Sequence, residues 1–217
     1  MLEDEFLNRV REFEGLWPIA NDNLLAQDND WWQNACLTHQ DGQWLGHVDG
    51  YRKAAQLIAM RVADISHDQD YLVWPFLLCW RHHVELQLKN MIFLLIAISR
   101  QPGRMRPTHD IAKLWVRFED LMSQAGFSEY PEMDHVRHTL SQLHKIDPNA
   151  QLARYPFLNS GEPARPANLT HIHFRLFHQA MERVANYLDA TDTALRQELE
   201  ARNDYETEMM EQYGDYY

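Results

Sequence analysis

Cysteine is scarce in this chain: Cys36 and Cys79 are the only two among 217 residues, in unrelated contexts and without CxxC spacing. No disulfide framework can be built from them, a usage that fits a reducing cytoplasm and excludes the stapled secreted domains. Both thiols are expected in the core. A basic stretch ahead of an apolar one is also lacking, since the opening MLEDEFLNRV is acidic, so no signal peptide is read and a cytoplasmic protein is expected. There is no internal repeat and no low-complexity linker, and alternating β-branched runs are few, which argues against a repeat array and a strand-built fold. The sequence holds no Gly-rich phosphate loop, no nucleophile elbow and no HExxH helix. Positive charge is short as well: 20 Lys and Arg face 32 Asp and Glu, a formal net charge of −12 at pH 7. A field of that sign opposes nonspecific binding to nucleic acid, although it leaves room for a local basic cleft.

Hydrophobic residues make up 45% of the chain, with 7 Trp, enough for a well-packed core. Helical periodicity dominates. Glu3 to Trp17 reads as a first amphipathic helix with Phe6, Leu7, Val10, Phe13 and Leu16 on its apolar face. A polar loop with Trp31, Trp32 and Trp44 follows up to Gly50, then an Ala-rich helix from Tyr51 to Ile65, broken at His67 to Asp70. The next helix is expected to begin near Pro75, a residue suited to a first turn. Gln101 to Pro107 is a turn, and a helix starts near Asp110 and stops at Gly126. Pro131 to Ile146 is another helix, ended by Asp147 and Pro148. Asn149 to Asn168 is irregular, with the length of a functional loop or a lid, and Leu169 to about Tyr213 closes the chain as a helical pattern in one or two pieces. The expectation is one all-α domain over 1–217, with 1–50 as an N-terminal extension and 198–217 as an acidic tail. That tail, QELEARNDYETEMMEQYGDYY, is either a solvated helix end or a cover for a basic cleft that competes with RNA.

The segment from Tyr71 to Ile98 is strongly apolar yet carries Arg81, His82, His83, Glu85, Lys89 and Asn90 at its centre. It is long enough to span a bilayer, but a polar cluster at its midpoint is expensive there, so it reads as a buried helix with no membrane role. On a helix Arg81, Glu85 and Lys89 fall at i, i+4 and i+8 and form one stripe. Such a stripe is either a structural ion-pair ladder or part of a site.

RHHVELQLKN, HDIAKLW and ARYP occur in that order, and together they resemble the HEPN superfamily, in its bacterial members of the RHxxELxLK type, over Tyr51 to Pro156. The resemblance implies a four- or five-helix up-and-down bundle that dimerises side by side. It implies one of two functions: a metal-independent ribonuclease of a toxin–antitoxin or antiphage system, or a catalytically silent binding and dimerisation module. The implied partners are RNA, a second copy of the chain and an antitoxin or other protein. Active members carry an ExxxKR element, which Glu85 and Lys89 match, with Asn90 in place of the second basic residue. They also carry an arginine followed, after four to six residues, by a histidine near the end of a later helix, for which Arg137 and His144 are the best placed. Arg61 with His67, Arg104 with His109 and Arg165 with His171 satisfy the same spacing.

RNA cleavage through the 2′-hydroxyl needs a base for that proton and a cation for the charge that builds on phosphorus, which His and Arg supply without metal. The expected catalytic set is Arg137, His144, Arg81, His82, Glu85 and Lys89 lining one cleft, with no cofactor and no metal. His144 would serve the helix C-terminus regardless of catalysis, and Arg154 is expected to dock the irregular loop onto a carboxylate such as Glu85. The doublets His67-Asp68 and His109-Asp110 leave open a metal-dependent HD-type phosphohydrolase, although Asp110 is equally placed to cap a helix. His171 with His173 and His135 with His138 lack a third ligand at a recognisable spacing, so satisfied core or surface histidines are expected there.

Overall fold

The computed structural model describes residues 17–26, 29, 34–37, 44–100, 107–128 and 131–214, except for the side chains of 213 and 214. The chain divides into two compact units, Met1–Asp41 and Gly42–Tyr217. The described part of the first unit is made of turns, such as that in which the Ile19 N–H donates to Asp22 Oδ2 at 2.9 Å. The helix expected from Glu3 lies outside the described residues up to Trp17, as do Trp31 and Trp32.

The described second unit holds five helices, α1 (Leu45–Ile65), α2 (Gln69–Ser99), α3 (Ile111–Gln124), α4 (Pro131–Ile146) and α5 (Phe174–Gly214), and among the described residues the only β feature is an isolated bridge from Phe157 to Pro163. The all-α expectation therefore holds. Three helix starts differ from the sequence reading, the simplest being α5, which begins at Phe174 and not at Leu169. α1 starts before Tyr51, so Leu45 to Gly50 belongs to the bundle and not to an extension. α2 starts at Gln69 and passes through Pro75. The proline removes only the bond to the Tyr71 carbonyl, and Tyr71 is exposed, so water can take that acceptor.

α2 is the hub, packing on α1, α3 and α5. Its buried residues go nearly all round, with Phe76, Trp80 and Val84 on one side, Glu85 and Ile92 on a second and Cys79 and Leu86 on a third, which suits a helix enclosed by three others. α3 and α4 follow their patterns more simply. Asp110 caps α3 by accepting from the Lys113 N–H at 3.1 Å. Gly126 ends it with φ +87°, while the Phe127 N–H reaches back to the Met122 carbonyl at 3.0 Å.

Helix directions follow from who meets whom. α1 and α2 are antiparallel, since the Val48 carbonyl meets His83 at 3.0 Å and Tyr51 meets His82. α3 and α4 are antiparallel too, because Asp110 lies near His144 and Glu119 near Arg137. Between α2 and α3 the expected up-and-down alternation fails. His109, just before α3, sits at Glu85 in mid-α2, while at the far end Arg202 bonds both the Ile98 and the Ala125 carbonyls. Those helices run parallel, so the chain returns about 20 Å between the end of α2 and the start of α3. α5 is parallel to α2 as well, with Phe76 against Phe174, Asn90 bonded to Asp192 and Ile98 to Arg202. The acidic stretch from 198 onward is, through Gly214, the end of α5, in line with the helical pattern expected to about Tyr213, and its Glu206 pairs with Arg100.

No described helix is both long and apolar enough to cross a membrane.

Candidate functional site

The stripe on α2 forms, and it is buried: Arg81 is 2% exposed and Glu85 0%. Glu85 Oε2 accepts from Arg81 Nη1 at 2.9 Å. Its Oε1 accepts from Lys89 Nζ at 2.7 Å and from His109 Nδ1 at 2.8 Å. Burial raises the Glu85 pKa, but the bonds from Lys89 and His109 outweigh that and hold it below the usual carboxylate range. An ionised carboxylate can only accept, so His109 Nδ1 carries its hydrogen and Nε2 is the ring nitrogen left free of Glu85. That ring is 64% exposed. The pair is thus a buried carboxylate orienting a solvent-facing imidazole.

Arg81 completes the scaffold with its other nitrogens. Nη2 donates to the His109 carbonyl at 2.5 Å and Nε to the Asp147 carbonyl at 3.1 Å, with Asp147 Oδ2 at 3.5 Å. One guanidinium thereby fixes His109, two residues before α3, and Asp147, the residue after α4, against α2. Asp147 in turn accepts through Oδ1 from the Gln151 and Leu152 N–H groups at 2.8 and 3.2 Å, holding the start of the irregular loop.

His144 joins this neighbourhood from the last turn of α4, its Nδ1 being 3.5 Å from Asp110 Oδ1, beside His109 in sequence. The contact is electrostatic, for that Nδ1 is buried without a hydrogen bond. Burial raises Asp110, and the bonds from Lys113 together with the His144 charge bring it below its usual value. His82 lies half-buried with Tyr51 edge-on at a ring distance of 4.4 Å, and burial pushes its pKa down against the opposing pull of Glu85.

Arg137 is not part of this arrangement. It donates to Glu119 through Nε at 2.7 Å and pairs with Asp134, on a side chain 43% exposed. It sits about 10 Å farther along the helix from His144. The expected Arg137–His144 pair is therefore split: His144 lies beside the Glu85 network and Arg137 is held away by two carboxylates. Asn90 is engaged elsewhere, donating to Asp192, which Arg196 also binds at 2.7 Å. Arg154 does not dock on Glu85, whose oxygens are already taken, and it is exposed with no ion-pair partner among the described residues.

The residue that sequence reasoning left out of the catalytic set is His109. Its signal was split between a chance arginine spacing and a His-Asp doublet, and Asp110 proved to be the cap of α3. No local pattern points His109 at Glu85, because that meeting depends on how α3 packs on α2. Among the described residues no group of three His, Cys, Asp or Glu side chains is placed to hold a metal ion. The arrangement can move a proton at His109 Nε2, and its cations are spent on Glu85 except at the rim. No protein-family model matches the chain, and no match is found among curated proteins or solved structures.

Proposed function

We propose that this chain is a HEPN-like, metal-independent endoribonuclease of a toxin–antitoxin or antiphage system, working in the cytoplasm as a homodimer, with His109 as its proton-transfer group. The observation that carries the reading is the contact of His109 Nδ1 with buried Glu85 at 2.8 Å on a ring that is 64% exposed. A carboxylate in that position fixes the tautomer and stabilises the imidazolium once formed. Nε2 removes the 2′-hydroxyl proton, the 2′-oxygen bonds to phosphorus, and the bond to the 5′-oxygen breaks, leaving a 2′,3′-cyclic phosphate. The 5′-oxygen takes up a proton, for which His144 is the second imidazole on the same side of the bundle. Arg81 and Lys89 act as positioning residues through Glu85.

A catalytically silent HEPN-like module that binds a second copy or an antitoxin is the competing reading. It is favoured by the mutual saturation of Arg81, Glu85 and Lys89 and by the engagement of Asn90 with Asp192.

Cleavage of mixed RNA in EDTA separates the two. The wild type is expected to cut, His109→Ala to lose about 100-fold or more, and Arg137→Ala to stay near wild type because its partners lie outside the site. An inactive, folded wild type moves the assignment to the binding module. Activity that appears only with added Mn²⁺ overturns the metal-independent mechanism.

A further inference from the structure

The Glu85–His109 pair lacks a free cation of its own, because Arg81 and Lys89 are bound to Glu85. The turn at residues 151–157 carries an exposed cation, Arg154. It is anchored from below: Ala150 and Leu152 are 3% and 4% exposed, and Asp147 accepts from two of its N–H groups. The Gln151 carbonyl then accepts from both the Arg154 and the Tyr155 N–H, at 3.0 and 2.9 Å. On the other side the Leu158 N–H bonds the Glu162 carbonyl at 2.8 Å and the Ala164 N–H bonds the Pro156 carbonyl at 3.0 Å, closing a tight hairpin.

This self-bonded loop holds two large aromatics outward, Tyr155 58% and Phe157 60% exposed. Arg154 stands beside them, exposed and without an ion-pair partner among the described residues. Glu85, Arg81, Asp147, Gln151 and Tyr155 form an unbroken chain of direct contacts, so the turn is held in register with His109. Arg154 is also close enough to His82 for its charge to oppose protonation there.

We propose that this turn is a platform for single-stranded RNA, on which Arg154 binds a backbone phosphate and Tyr155 stacks on a nucleobase next to the cleaved linkage. The inference rests on the ribonuclease reading for its ligand, but binding alone tests it. Exposed aromatics beside a cation suit unpaired bases, whose faces are free, and not a duplex, whose bases are stacked on one another. Their preorganisation costs little ordering entropy on binding.

The test is anisotropy of a labelled single-stranded RNA and of the matching duplex with His109→Ala protein, in which cleavage does not interfere. Tyr155→Ala in that background is expected to weaken single-strand binding by about 5- to 150-fold, the range for loss of one stacked base. Tyr155→Phe is expected to restore it, and duplex binding to be unmoved by either. Arg154→Gln is expected to lower the salt dependence by about 0.7 in log–log slope, one phosphate's worth. Single-strand binding unchanged in Tyr155→Ala overturns the platform, while wild-type cleavage in EDTA would leave the ribonuclease reading standing. Tyr155-dependent binding by a wild type that does not cleave keeps the platform and removes the nuclease. If Tyr155→Ala instead disrupts self-association on sizing with RNA binding intact, the surface belongs to a second copy and the proposal fails.

Discussion

Glu85 is fully buried and has three cationic or donating partners on two oxygens, which makes it the side chain with most to lose. Removing it leaves the guanidinium of Arg81, 2% exposed, without its carboxylate. Breaking a buried pair from one side costs about 3–5 kcal/mol, so Glu85→Ala is expected to lower the unfolding free energy extrapolated from urea titration by that amount. Arg137→Ala, taken from a half-exposed pair on Glu119 and Asp134, is expected to cost less than about 1 kcal/mol. Equal losses in the two variants would mean that the Glu85 network is no more than a surface ladder. The stripe of Arg81, Glu85 and Lys89 was legible in the sequence because helical spacing alone brings these three together. His109 was not, since it reaches Glu85 only through tertiary structure.

The parallel course of α2, α3 and α5 brings the C-termini of α2 and α3 to one place, where their unsatisfied carbonyls and dipoles of one sign accumulate. Arg202 answers both: Nη1 donates to the Ile98 carbonyl at 3.0 Å and Nη2 to the Ala125 carbonyl at 3.4 Å, while Nε holds Glu198 at 2.6 Å. Arg202→Met keeps the stem and removes the fork, and is expected to lower stability by about 1–3 kcal/mol in urea denaturation. Arg202→Lys is expected to recover only part, because a point charge cannot bridge two carbonyls as a planar fork does. Full recovery by lysine would reduce the residue to a charge beside the dipoles. Existence and type of the helices from Tyr51 onward were legible from periodicity, and the ends of α3 and α4 from Asp110, Gly126 and Pro131. Direction was not legible between α2 and α3, because a connection of that length permits either a hairpin or a return, and only Arg202 and His109 reveal which occurs.

The bundle is held by polar contacts that titrate in two windows. His83 is fully buried, with Nδ1 on the Val48 carbonyl at 3.0 Å and Nε2 without a partner. Burial pushes its pKa below the ordinary 6.5, and the nearby Asp189 and Asp49 charges, which favour the ion, do not restore it against burial and Arg52. The unfolded chain therefore binds a proton near pH 6.5 that the folded chain refuses, and stability contributed above that pH declines as pH falls towards the folded value. His82, lowered by the same cause, adds to this window. Glu85 and Glu182 have folded pKa values below 4.5, so their contribution persists above that pH and is lost as pH falls through the folded values. Asp189, raised by burial beyond what Arg52 offsets, acts in the opposite sense and softens the second stage. Urea midpoints measured from neutral pH downwards should show a first decline beginning near pH 6.5 and a steeper one below about pH 4.5. His83→Asn keeps an N–H for the Val48 carbonyl but cannot titrate, so it should flatten the first decline and leave the second. A first decline of unchanged size in that variant would assign it to other histidines and show that the buried contact between α1 and α2 does not sense acid.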